Sequence, residues 1–219
     1  MKYIGIDLGC SAEGKKPSSA VAVLDSEGTL MEKPLLFRKA VELKAVVDQY
    51  PHQEIIIAVD APRTVPDHTK ENYSYRSCER ELKKFDQYAG AFAGVASLFI
   101  RWYEIEQKYF QDIKVVETYP RIIWKKLKLP GKPKEFDKHR EEVWEIVGNL
   151  VKGDCSGYNH HQIDAVMCAY TAYCYDKGQI DWFGKSGEGL IIVPTGGTPQ
   201  SLTEADEQVS EKYRCFSVV

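Results

Sequence analysis

The sequence predicts an α/β protein built on a mixed five-stranded sheet with helices on both faces. Strand-like runs at Tyr3–Asp7, Ala20–Asp25 and Leu30–Phe37 come first, with only turns and one short loop between them. Two more runs, Glu54–Asp60 and Lys114–Thr118, are each reached through a helical segment. Strands joined by turns pair antiparallel, and strands reached through helices lie parallel in the same sheet. The composition agrees: 219 residues, 43% apolar and 28% charged, are those of an ordinary globular chain. That length buries about 70% of the unfolded surface without staples.

Each element has its own signal. Asp7 closes the first strand, and the polar stretch 10–19 reads as a hairpin loop. Ser26-Glu27-Gly28 is a tight turn, and Pro34 confines the third strand to a sheet edge. Val41–Gln49 carries helical spacing and stops at Pro51. Glu-Ile-Ile-Ile-Ala-Val-Asp, 54–60, is the continuous branched run of a strand covered on both faces. A helical region spans Arg76–Phe110 with breaks near Gly90 and Gly94. Helices follow at Arg121–Leu127, Glu135–Leu150 and His160–Lys177, then a short strand at Leu190–Val193. One domain is expected over 1–195, with 196–219 as a peripheral polar tail.

Net charge is −3, which disfavours nonspecific coating of nucleic acid but leaves a local basic surface open. None of the six cysteines forms a Cys-x-x-Cys pair, so a zinc knuckle is not expected. Asp7 interrupts the first apolar run, so no export signal is read and the expectation is a cytoplasmic protein with reduced thiols.

The carboxylates are the chemical signal. Asp7 and Asp60 end strands expected to be parallel neighbours, about 4.8 Å apart. Like charges that close resist joint ionisation, and a divalent cation with oxygen ligands offsets this. Asp164 lies beside the apolar stripe Ile163, Val166, Met167, Tyr170 and Cys174 of its helix, within reach of the sheet rim. Glu117 ends another strand. Each acid alone also reads as a turn former or a surface charge.

Taken together, Gly5-Ile6-Asp7-Leu8-Gly9, Ile57-Ala58-Val59-Asp60-Ala61-Pro62, Arg76-Ser77-Cys78-Glu79-Arg80-Glu81-Leu82, Glu117-Thr118-Tyr119-Pro120 and His161-Gln162-Ile163-Asp164-Ala165 resemble the ribonuclease H-like proteins called "predicted nuclease", a domain of unknown function numbered 429. The resemblance covers roughly residues 1–178. It implies a ribonuclease H-like fold in which Asp7, Asp60 and Asp164 hold Mg²⁺ or Mn²⁺ and act in metal-dependent phosphodiester hydrolysis. Glu117 is a further catalytic candidate. His160 or His161 would orient water or protonate the leaving group, or else be surface residues at a helix start. Arg76 and Arg80 share a helix face suited to phosphate, with a solvated face as the plain alternative. Residues 121–140 hold eight Lys and Arg against two acids, Lys125 and Lys126 among them, with Trp124 and Phe136 interleaved; this suits a nucleic-acid backbone. Two rivals stand beside a nuclease. One is a non-catalytic scaffold or nucleic-acid-binding module. The other is a nucleotide-binding phosphotransferase of the actin and sugar-kinase type, for which Thr195-Gly196-Gly197-Thr198 would be the glycine turn.

Overall fold

In the first expected strand, β1 (Lys2–Asp7), apolar side chains fill both faces. It pairs antiparallel with β2 (Ser19–Leu24), which pairs antiparallel with β3 (Leu35–Phe37) at the sheet edge that Pro34 foreshadows. On its other side β1 runs parallel to β4 (Ile55–Asp60), and β4 runs parallel to β5 (Lys114–Thr118). This order, β3-β2-β1-β4-β5, contains the mixed five-stranded arrangement that the sequence predicts. The computed structural model describes residues 1–9, 18–66, 74–86, 90–131, 135–185 and 188–195. The expected tail 196–219, and with it most of the Thr195–Thr198 turn, lies outside the described residues.

Among the described residues the sheet has seven strands rather than five. β6 (Ile180–Gly184) and β7 (Leu190–Pro194) form an antiparallel hairpin whose β7 pairs parallel with β5. The sequence marks β7 but not β6. Only Ile180 of β6 is buried, so it lacks the apolar run that identifies a strand.

Helices cover both faces. α6 (His160–Asp176), α5 (Phe136–Leu150) and α4 (Pro120–Lys126) close one core with Tyr3, Ala58 and Val116. α1 (Ala40–Val47) and α3 (Ala96–Tyr109) close the other with Ile4, Ile6, Val59 and Val115. α2 (Ser77–Phe85) packs beside β6. Among the described residues no helix is long and apolar enough to cross a membrane.

Gly5 sets the distance that matters for the site. A Cβ there would stand 2.0 Å from both the Ala165 carbonyl oxygen and the Ala169 amide of α6. Backbone cannot swing aside as a side chain can, so α6 lies against β1 only because residue 5 is glycine. Gly5→Ala is expected to destabilise by about 3 kcal/mol, at the top of the overpacking range. Thermal unfolding should show a fall of about 6–12 °C.

Candidate carboxylate centre

Register puts Asp7 opposite Asp60 on adjacent parallel strands. Side chains alternate faces along a strand, and Gly5 of β1 and Ala58 of β4 face α6. Asp7 and Asp60, two residues further on, therefore point to the α6 face. α6 starts at a capping box in which Asn159 Oδ1 accepts from the Gln162 amide at 3.0 Å and Gln162 Oε1 accepts from the Asn159 amide at 3.1 Å. Five residues past that cap, Asp164 is 8% exposed, so it is not the surface charge its lone reading allows. Trp124 Nε1 donates to Asp164 Oδ1 at 2.9 Å, which fixes the carboxylate from the α4 side.

Asp7 perturbs the other two acids. Burial and then Asp7 push the Asp164 carboxyl up to about 8. Burial, then Asp7, Asp164 and Glu117 raise Asp60 well above the usual range. His161, one turn before Asp164 in α6, brings its Nδ1 to 2.6 Å from Asp7 Oδ2. That bond raises the imidazole above its ordinary value. His161 is thus part of the centre rather than a surface residue. His160 is exposed, with its ring centroid 3.9 Å from that of His161.

Glu117 acts on Asp60 through its charge but sits on another face of the sheet. It lies opposite Val59, on the α3 face of the sheet, one residue out of phase with Asp60. There Arg76 Nη2 donates to Glu117 Oε1 at 2.6 Å and Nη1 to Oε2 at 2.8 Å. Burial pulls this carboxyl up while Arg76 and the Arg63 amide oppose it. Three donors on one carboxylate hold its ionised form. Arg76 is 1% exposed, so it presents no free face to a phosphate. Arg80 bonds the Tyr75 carbonyl at 2.5 Å and Glu188 at 2.9 Å.

The basic stretch is partly engaged. Lys125 donates to the Phe85 carbonyl at 2.5 Å, Lys126 pairs with Asp181, and Arg121 pairs with Asp86 at 2.9 Å. Trp124 and Phe136 are core residues at 2% and 5% exposure, not stacking platforms. Lys132 and Lys134 lie outside the described residues.

Sequence reasoning does not find Trp124 as the partner of Asp164, nor Cys168. Cys168 sits one turn after Asp164 on α6, fully buried, with its thiol hydrogen-bonded to the Asp60 backbone. Its i+4 spacing from Asp164 is the signal that would find it. Cys78, Cys155 and Cys174 are buried free thiols too.

The donor set fits a hard cation in kind: three clustered carboxylates, two of them pushed toward their neutral forms by burial and by neighbouring acids. As the side chains stand, Asp7 faces His161 and Asp164 faces Trp124. Among the described residues no three His, Cys, Asp or Glu side chains are arranged to hold a metal ion.

No protein-family model matches the chain, and no curated protein matches it. Among solved structures, T. thermophilus RuvC in complex with Holliday junction substrate is similar over 81% of this chain and 97% of that one, at 13% identity and a TM-score of 0.45. No residue role follows from that likeness.

Proposed function

We propose that the chain is a metal-dependent phosphodiester hydrolase acting on nucleic acid, of the "predicted nuclease" kind, with residues 1–195 as its single domain. The observation that carries this reading is the pairing of Asp7 with Asp60 in register, with Asp164 buried beside them. Three acids so placed repel one another, and a protein keeps such a cluster where a cation is to be held.

Asp7, Asp60 and Asp164 would hold Mg²⁺ or Mn²⁺, which supplies an activated water and neutralises charge at the phosphate. Asp7 must leave His161 to take up that role. His161, with its Nδ1 at 2.6 Å from Asp7 Oδ2, is the side chain at the centre able to carry a proton. It serves as general acid toward the leaving oxygen. Trp124 keeps Asp164 oriented throughout by its indole N–H. Lys125 and Arg80, at the surface, are the candidates to meet the phosphates flanking the scissile one.

The test is cleavage of single- and double-stranded DNA, RNA, an RNA–DNA hybrid and a four-way junction, with Mg²⁺ and with Mn²⁺. Wild type should cut at least one of them, and Asp7→Asn and Asp60→Asn, shown to be folded, should not. The engagement of Asp7 by His161 and of Asp164 by Trp124 favours one second reading, a non-catalytic module that kept the fold. No cutting together with no metal-induced thermal shift would establish that reading. A thermal shift without cutting would point to a smaller phosphoryl substrate, and ATP would be tried next.

A further inference from the structure

The segment that leaves Asp60 is tied down at successive residues. The Arg63 amide donates to Glu117 Oε2 at 2.9 Å, and Arg63 Nη1 donates to the Val115 carbonyl at 2.7 Å. The Thr64 hydroxyl accepts from Arg76 Nη1 at 3.1 Å. Arg76 and Glu117 bind each other at two points and are each almost wholly buried. Two of these ties, the Arg63 amide on Glu117 and the Thr64 hydroxyl on Arg76, converge on one ion pair reached from α2 and from β5, while the Arg63 guanidinium is held separately by Glu106 and the Val115 carbonyl.

Neither residue is placed to meet substrate or metal. A guanidinium has five donors. Those of Arg76 go to Glu79 through Nε and Nη2, to Glu117 through Nη1 and Nη2, and to Thr64 through Nη1. The Phe92 ring lies 5.7 Å away over the same group. The cavity that Arg76, Glu117 and Asp60 line holds about 60 Å³. An enclosed cavity of about 150 Å³ is what admits benzene, so this space is small for a planar ring. Glu117 points to the sheet face opposite that of Asp7 and Asp60.

We propose that the Arg76–Glu117 ion pair is a positioning device for Asp60. It fixes the Asp60–Thr64 segment against β5 and so holds the Asp60 carboxylate at the level of Asp7. Its catalytic meaning rests on the phosphodiesterase reading, whereas the anchoring does not.

Glu117→Met tests it, because Glu79 still neutralises Arg76 in that variant. Glu117→Gln serves as the conservative control, since it keeps one acceptor oxygen. Hydrogen exchange of the Arg63 and Thr64 amides is followed beside kcat, KM and the Mg²⁺ midpoint of the thermal shift. In Glu117→Met those two amides should exchange at least about tenfold faster, with β1 and α6 unchanged. kcat should fall by about 10–100-fold, the range for residues that orient a ligand from behind. KM and the Mg²⁺ midpoint should stay within about twofold, and Glu117→Gln should recover most of kcat. Unchanged exchange overturns the proposal whatever the activity does. A tenfold rise in the Mg²⁺ midpoint overturns it in favour of a metal ligand, and a rise in KM alone in favour of a substrate contact. A fall in Tm with kcat per folded molecule unchanged overturns it in favour of plain stability. If wild type cuts nothing, faster exchange confined to the two amides upholds the anchoring while the nuclease reading falls.

Discussion

Asp164→Asn should melt above the wild type in EDTA at pH 8, by about 4–8 °C. The substitution keeps the Oδ1 acceptor for Trp124 Nε1 and removes a charge that burial and Asp7 oppose. The Asp164 carboxyl in the fold sits at about 8, against 3.8 as its ordinary value. Between those two pH values the folded chain binds more protons than the unfolded one, so stability falls as pH rises. The wild-type Tm should therefore decline from pH 4 to pH 8, and the Asn variant should decline less. The two curves should meet below about pH 3, where the wild-type acid is neutral in both states. A gain of about 2 kcal/mol at pH 8 gives the stated shift for a chain of this size. Mg²⁺ should reverse the ranking. At 100 times its dissociation constant a bound ion adds about 2.7 kcal/mol to the wild type. A variant short of one ligand should gain less. Parallel pH curves for the two proteins would show that Asp164 carries no electrostatic load, and the argument for a cation site would lose its main support.

The part of this centre legible in the sequence is the part set by local pattern. Asp7 and Asp60 each close an apolar run, and the helices between the strands require a parallel pairing. That is enough to bring the two acids together before any coordinates are seen. Glu117 closes an apolar run in the same way, yet it faces the other side of the sheet. Its face depends on the register of β5 against β4, and a slip of one residue inverts it. Nothing within Lys-Val-Val-Glu-Thr fixes that register, because both faces of the strand are buried and the alternation is lost. Arg76 misleads for a related reason. Its spacing from Arg80 is that of one helix face, but Arg76 is the residue before α2 begins and turns inward to Glu117. His161 is the reverse case. A histidine at a helix start is usually solvated, and only the close approach of α6 to Gly5 brings this one to Asp7.

Arg76→Met should be among the most destabilising single changes in the chain. It leaves Glu117 and Glu79 buried with no counter-charge, and breaking a buried pair from one side costs about 3–5 kcal/mol. Thermal unfolding should show a loss of about 6–20 °C at neutral pH. The loss should depend on pH in a definite direction. Without the guanidinium, burial pushes Glu117 up with only the Arg63 amide against it, so the folded variant takes up a proton that its unfolded state does not hold. Its deficit against wild type should shrink toward pH 5 and widen toward pH 8. Neutralising the abandoned partners supplies the control. The triple change Arg76→Met, Glu79→Gln, Glu117→Gln removes every unpaired charge and should recover more than half of the lost stability. Recovery of stability without recovery of cleavage would separate the two duties of this cluster, since the triple variant restores neutrality but not the tie between Arg76 and Thr64. If the triple variant stays as unstable as Arg76→Met, the cost lies in lost packing of the arginine stem and not in exposed charge.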